Sequence, residues 1–427
     1  MKKLSISLLF VSITLLSSAQ TNSDAIKEKE VQRIETILSA DDMQGRKAFT
    51  AGSEKAADFI SNEFKQIGLK TFNNSAGYKQ TFTITEPKVL SVSASFNGKS
   101  VDTENVIVFT CLPDLKITEK SGFRMVYLKQ GAAFGKDVSE YIRLKENLLV
   151  FVDNSYTENF KRLANRKQHL FKSDKSVVFV MGNYNADNYI IHAKNEVTEN
   201  KAANVVGVLP GKSKKNEFVI FSAHYDHLGT GEAINSDSIY NGANDDASGV
   251  TAVISLAKYY KAANNSERTL IFAAFTAEEI GGYGSQYFSS QLNPEKAVAM
   301  FNIEMIGTES KWAKNSAYIT GFEKSDMGKI IQKNLQGSGF TFYPDPYPDQ
   351  NLFYRSDNAT LARSGVPAHT ISTSKMDNEP TYHKLNDEVK TLDLKNMTQI
   401  IQSIEISAKS IISGSDTPTR VKADRLK

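Results

Sequence analysis

The stretch FVIFSAHYDHLG, Phe218 to Gly229, decides the fold. Its first six residues form an apolar, β-prone run that stops abruptly at His224, Tyr225, Asp226 and His227. A short run that is apolar throughout fits a strand buried on both faces, and a polar tip fits ligands delivered at the strand's carboxyl end. Working outward, the pattern repeats. Thr269 to Phe275 is a second apolar run leading into Ala277, Glu278, Glu279, Ile280 and Gly281, and Val298 to Ile303 leads into Glu304. Between the first two runs, Asn241 to Gly249 reads as a glycine-flanked acidic turn, followed by Val250, Val253, Ile254, Ala257 and Tyr260 at helical spacing. Asp245 and Asp246 therefore sit just before a helix N-terminus. Three strand ends and one helix start converge on one edge, and their carboxylates and histidines read as a metal site.

Further out, helix and strand patterns alternate. Ile26, Val31, Ile34, Ile37 and Leu38 recur at helical spacing, and a second helix, with Ser53 as candidate cap, carries Ala56, Ala57, Phe59, Ile60, Phe64 and Ile67 before Gly68. From Thr81 to Asn204 short β-prone runs follow one another: Val89 to Phe96, Val106 to Cys111, Met125 to Leu128, Leu148 to Val152 and Val177 to Met181. Asn204 to Leu209 then resumes the core as a strand. Beyond Glu304 come a strand around Ala317 to Thr320, a helix from about Ser325 to Gln336, and a loop rich in Tyr, Pro and Asp from Phe342 to Phe353 that suits a pocket wall. A strand from Val366 to Ser372, a polar loop from Tyr382 to Asp387 and a helix with Leu394, Met397, Ile400, Ile401, Ile404 and Ile411 close the chain. The expected fold class is α/β, a mostly parallel mixed sheet flanked by helices with an inserted β-rich subdomain. The expected division is 1–19 as a signal peptide, 20–84 as N-terminal helices of the catalytic domain, 85–200 as the insertion, 201–413 as the catalytic core and 414–427 as a tail.

At 427 residues, with 40% apolar and 23% charged, the chain can bury a large core in an ordinary globular way. Lys2 and Lys3 precede an apolar run from Leu4 to Leu16 and the small residues Ser17, Ser18 and Ala19, which reads as a signal peptide cut after Ala19. The expected location is periplasmic or extracellular. The run is too short to span a bilayer comfortably and no later stretch approaches about 20 apolar residues, so no stable membrane insertion is expected. Removing the two lysines takes the net charge from +3 to +1, which argues against a nucleic-acid partner. Cys111 is the only cysteine, so no intrachain disulfide can form, and its apolar surroundings suit packing rather than nucleophilic chemistry.

Zinc accepts histidine nitrogen and carboxylate oxygen, and its catalytic sites keep a position for water. His224, Asp245, Glu279, Glu304 and His383 could supply such a set. Each alone has an ordinary explanation, an exposed carboxylate or a histidine satisfied in the core. Their joint arrangement carries the case.

At His224 to Gly229, Gly242 to Gly249, Ala277 to Gly281, Asn302 to Gly307 and Tyr382 to Asp387 the sequence resembles the co-catalytic di-zinc exopeptidases of the bacterial leucine aminopeptidase and glutamate carboxypeptidase type. The resemblance implies two Zn²⁺ per chain. It makes Asp245 the carboxylate bridging two metals, one also held by Glu279 and His383, the other by His224 and Glu304. It makes Glu278 the general base, and Asp226 the carboxylate that accepts the other ring N–H of His224. It also implies a cis peptide between Asp245 and Asp246. The family usually has aspartate where this chain has Glu304, whose longer reach alters one metal's position. Arg355 to Asn358 resembles a family stretch ending in histidine, which Asn358 replaces, so that loop is assigned only to the substrate wall. Of the remaining histidines, His169 and His192 are expected at the surface, and His227 and His369 around the site or in the core without ligating. Ser222, Ser248 and Ser285 lack a nucleophile-elbow pattern.

The implied function is an exported metallopeptidase that removes N-terminal residues from peptides or proteins; the oligomeric state is not legible. A zinc carboxypeptidase and a single-zinc glutaminyl cyclase are the alternatives on the same fold, and a non-catalytic binding module is the alternative of another class. Zinc stoichiometry separates the two-metal reading from the cyclase and the binding module. The inserted block fits either a protease-associated β domain or a private lid. Tyr343, Tyr347, Phe353 and Tyr354 point to an apolar first residue in the substrate.

Overall fold

A computed structural model describes residues 26–165 and 169–422, so the signal-peptide reading falls outside the described residues. From the amino end, α1 (Glu28–Leu38) and α2 (Ala51–Ile67) precede a long strand β1 (Lys79–Phe96). A block of β2 (Val106–Phe109), β3 (Arg124–Leu128), α3 (Phe134–Arg143), β4 (Leu148–Val152), α4 (Thr157–Ala164) and β5 (Val177–Met181) follows, and β6 (Tyr189–Leu209) returns along β1. The chain continues as β7 (Lys214–His224), α5 (Ser248–Ala263), β8 (Arg268–Phe275), α6 (Tyr283–Ser290) and β9 (Ala297–Ile303). It ends with β10 (Ser316–Ile319), α7 (Met327–Leu335), β11 (Thr341–Pro344), α8 (Asn358–Arg363), β12 (Ala368–Ser372) and α9 (Leu394–Ser413).

The main sheet runs in the order β11-β10-β12-β9-β7-β8-β6-β1. Its centre, β12, β9, β7 and β8, is parallel, whereas β6 and β1 join antiparallel on one side and β10 pairs antiparallel with β12 on the other. The unbroken apolar character of β7 and β8 follows from their place between two layers. Val219, Phe221, Leu270 and Phe272 face one core with residues of α1, α2, α5, α7 and α9, while Ile220, Ile271 and Phe275 face a second core with residues of α6 and α8. In the first core the Phe221 ring stacks between neighbours, 5.7 Å from Phe272 and 5.2 Å from Phe301.

The predicted strands are present, with differences of extent: β7 begins at Lys214 rather than Phe218, and two others are much longer than their apolar runs. The run at Val89 to Phe96 is only the far half of the 18-residue β1, and the run at Asn204 to Leu209 only the near end of the 21-residue β6. The two pair continuously except for a register shift at Lys194 and Asn195. Their shared middle is exposed and polar, so it lacks the apolar signal of a core strand. Their far halves carry one face of a second sheet, ordered β2-β5-β4-β3. The other face of that sheet is covered by α3 and α4 through Val138 and Phe160, two helices the strand-dominated pattern did not announce. Ser53, read as a cap, lies inside α2 instead, its hydroxyl donating to the Thr50 carbonyl at 2.9 Å. Among the described residues no helix is long and apolar enough to cross a membrane.

Candidate metal centre

Parallel register makes the strand tips level. His224 ends β7 beside Phe275 at the end of β8, and Ser222 pairs with Asn302 of β9, so Glu278 and Glu279 after β8 and Glu304 after β9 emerge at the same edge. Three residues around this edge hold left-handed backbone: Ala277 at φ 60°, Met305 at 53° and His383 at 56°. Such conformations are disfavoured for side chains other than glycine and concentrate where function needs a particular aim. At Ala277 the turn redirects the chain immediately before the two glutamates.

The loops are tied to one another by buried polar groups. The peptide between Asp245 and Asp246 is cis, as the resemblance implied. The Asp246 carboxylate accepts the main-chain N–H groups of His224 (3.2 Å), Gly249 (3.0 Å) and Met305 (3.1 Å), joining β7, α5 and the loop after β9. The Asp387 carboxylate accepts from the N–H groups of Asn244 and Asp245 at 2.8 and 3.0 Å, which fixes the His383 loop against the acidic turn. Behind them the fully buried Arg46 donates to the carbonyls of Leu38, Tyr225, Asn241 and Gly242. Gly249 admits no side chain: a Cβ there would fall on the Ile303 carbonyl and within 2.5 Å of the Asp246 carboxylate. Gly249→Ala is expected to displace Asp246, costing about 1–3 kcal/mol of stability together with metal affinity, read by denaturant unfolding and zinc content. Unchanged values in both would remove Asp246 from the role of organiser.

All five residues expected to hold metal come together. His224 Nε2 is 3.3 Å from Asp245 Oδ1, while His383 Nε2 is 3.2 Å from Asp245 Oδ2 and 3.2 Å from Glu279 Oε2. Asp245 thus presents one oxygen to each histidine. Glu304, half-buried, borders the same cavity as Asp245, Glu279 and His383, and its field is felt by Glu278. The Tyr382 ring stacks on His383, 3.9 Å between centroids.

Two expectations need correction. His224 Nδ1 lies 3.0 Å from the main-chain carbonyl of Asp226 and 3.8 Å from its carboxylate. The Asp226 carboxylate instead accepts the N–H groups of Glu278 (3.1 Å) and Glu279 (3.4 Å), because the turn after β8 points them at it. Asp226 therefore positions the glutamate pair. The second correction concerns His227, expected to surround the cluster. It belongs to the cluster itself, with Nδ1 2.9 Å from Glu279 Oε1 and 3.7 Å from Asp245 Oδ2, close enough for His227, Asp245 and Glu279 to share one ion. A histidine three residues beyond His224 at a strand tip was the available signal. His369, by contrast, is a core histidine: Nε2 meets Ser325 Oγ at 2.7 Å and Nδ1 the Thr320 carbonyl at 2.8 Å, and burial holds it down at about 4.

The electrostatics ask for cations. Burial raises Glu278 well above the usual carboxylate range, with Glu304, Asp357 and Glu279 adding to it, and burial pushes Glu304 up to about 7. Hydrogen bonds to Asp245 and Glu279 lift His383 to about 10. Burial works to lower His224, but Asp245 and the surrounding carboxylates outweigh it and hold it well above its ordinary value. Glu304 Oε2 and His227 Nε2 are buried without a hydrogen-bond partner among the described residues. Such orphaned atoms in a set of mixed carboxylate and imidazole donors fit divalent zinc.

The surrounding space is asymmetric. On one side a cavity of about 60 Å³ is walled by Tyr318, Thr320, Leu352 and Met376. On the other, Glu278, Glu279, Arg355 and Ser356 also border a cleft of about 620 Å³ that reaches α3 of the second sheet. The aromatic residues thought to shape the pocket lie elsewhere. Tyr343 stacks on Trp312, Tyr347 and Phe353 are buried, and Tyr354 faces the larger cleft, so Leu352, Met376 and Met305 supply the apolar wall.

A parallel α/β sheet with a carboxylate and histidine cluster at its carboxyl edge defines a zinc-dependent hydrolase of the exopeptidase type. Residues 204–405, which carry every cluster residue, match the model of Peptidase family M28. Among curated relatives, Aminopeptidase YwaD of Bacillus subtilis is 24% identical over 407 residues, 88% of this chain and 83% of its own length. A vacuolar membrane protease of Schizosaccharomyces pombe is 25% identical over 219 residues, half of this chain, but only 24% of that longer protein is matched. Among solved structures, that of BSAP, a zinc aminopeptidase from Bacillus subtilis, superposes with a TM-score of 0.56 at 16% identity, covering 92% of this chain and 97% of the other.

Proposed function

We propose that this chain is an exported aminopeptidase that uses two zinc ions to release N-terminal residues from peptides. The observation that carries the reading is the convergence on Asp245, which offers Oδ1 to His224 and Oδ2 to His383. Asp245, Glu279, His383, His224 and Glu304 would hold the two ions, with Asp245 shared between them. Zinc in that position would polarise the scissile carbonyl and lower the pKa of a water held there. Glu278, kept basic by burial among carboxylates, takes the proton of the attacking water and returns it to the leaving amine. Asp226 holds the main chain of Glu278 and Glu279 so that the two adjacent carboxylates serve different tasks. His227 orients Glu279 through Nδ1.

The narrow cavity beside the cluster receives one chain end, and its carboxylate-rich border favours an α-ammonium group. The relatives named as aminopeptidases support the same choice. One observation favours the carboxypeptidase reading: Arg355 borders that cavity too, donating to Gln350 Oε1 at 3.2 Å. Digestion of a short unblocked peptide by the purified mature protein distinguishes them. The expected result is stepwise release from the N-terminus that a chelator abolishes and zinc restores, with two zinc ions bound per chain. Release from the C-terminus would overturn the aminopeptidase reading, and one ion per active chain would overturn the two-metal reading.

A further inference from the structure

The large cleft joins the metal-cluster edge to the second sheet. Glu278, Glu279 and Arg355 border it from the cluster, and Arg143 at the last turn of α3 and Arg363 at the last turn of α8 line the same space. Neither guanidinium has an ion-pair partner among the described residues. Arg143 donates only from Nε, to the carbonyl of Ser139 in its own helix at 2.9 Å, and Arg363 lies over the Tyr354 ring at 5.8 Å. The nearby basic residues Lys172 and Lys175, by contrast, are paired with Glu199 and Asp174. The two arginines are close enough that burial and the charge of Arg143 together lower Arg363 below its usual value. Two like charges left facing each other across a cleft repel unless an anion comes between them, and guanidinium donors match a carboxylate in charge and shape.

We propose that Arg143 and Arg363 bind the free C-terminal carboxylate of the substrate, so that the enzyme acts on short peptides held at both ends. This rests on the aminopeptidase reading, which puts the N-terminus at the metal cluster. A space of about 620 Å³ accommodates a ligand of a few residues. The second sheet then takes part in selection, since Arg143 comes from α3 and Arg363 from the core.

The test compares Leu-Gly-Gly with its C-terminal amide, and both with a hexapeptide, on wild-type zinc-loaded protein and on Arg143→Gln/Arg363→Gln. Wild type is expected to prefer the acid over the amide by roughly tenfold in kcat/KM, carried by KM, the size of one charge-assisted hydrogen-bonded contact. The double variant is expected to bring that ratio close to one, while Arg143→Lys/Arg363→Lys keeps part of it. Equal rates for acid and amide in wild type, or an unchanged ratio in the glutamine variant, would overturn the proposal. Both side chains are exposed, and melting curves of each variant control for folding. If no peptide is cleaved from its N-terminus, the aminopeptidase reading has failed. Calorimetric binding of the acid and the amide to Glu278→Gln protein then decides the carboxylate site separately, tighter binding of the acid supporting it and equal binding overturning it.

Discussion

Replacing Glu278 with glutamine is expected to lower kcat by about a thousandfold, within the range that a positioned general base contributes, while zinc content stays that of the parent. The substitution keeps volume and hydrogen-bonding reach but removes the carboxylate proposed to accept the water proton. Glu278 suits the task because it is surrounded by Glu304, Asp357 and Glu279 in a buried site, which makes its protonated form accessible when the leaving amine needs a proton. It has a different environment from its neighbour: Glu279 meets His227 and His383 through its two oxygens and is held below its usual value. Steady-state kinetics beside metal analysis reads both quantities. A fall of less than tenfold would move the base elsewhere, and a loss of zinc would make Glu278 a ligand.

The largest effect on stability is expected at Arg46. Its guanidinium is fully buried and donates to four carbonyls, those of Leu38, Tyr225, Asn241 and Gly242, on three separate segments. It also places a positive charge behind a cluster dominated by carboxylates, with Glu35, Asp387, Asp245 and Asp226 all within its field. Arg46→Met fills most of the volume but leaves those carbonyls without donors and the carboxylates without their nearest fixed cation. A loss of about 3–5 kcal/mol in unfolding free energy is expected, together with weaker zinc binding, because two of the segments carry His224 and Asp245. Arg46→Lys supplies one charge without the fork and restores only part. Denaturant unfolding of the metal-free proteins gives the first number; a loss below about 1 kcal/mol would show that the carbonyls find other donors.

The central sheet was legible because the inner parts of β7, β8 and β9 are buried on both faces and so read as apolar runs, and the candidate ligands were legible because polar residues stand where those runs stop. His383 required the family resemblance, since it lies in a loop with no periodicity, yet the structure brings it to Asp245 and Glu279. His227 was underrated because sequence spacing does not tell which way a chain turns after a strand tip. Asp226 was placed correctly but given the wrong hydrogen bond, a matter of where the Glu278 and Glu279 amides point. Arg46 was not legible, since nothing in Asp42 to Arg46 announces carbonyl partners nearly 200 residues away. The helices α3 and α4 were hidden because each offers one buried residue, Val138 or Phe160, amid charges.

The pairing of β1 with β6 gives the second sheet a stiff mount. A pair of strands hydrogen-bonded along almost its whole length behaves as a cantilever, whereas a domain hung on single-chain linkers swings freely. Its weak point is the register shift at Lys194 and Asn195, opposite Ser91 and Val89, where the ladder is interrupted and the ribbon bends most readily. Asn195 donates there to the Pro113 carbonyl instead, so the mount is held from its other side at the point where the ladder breaks.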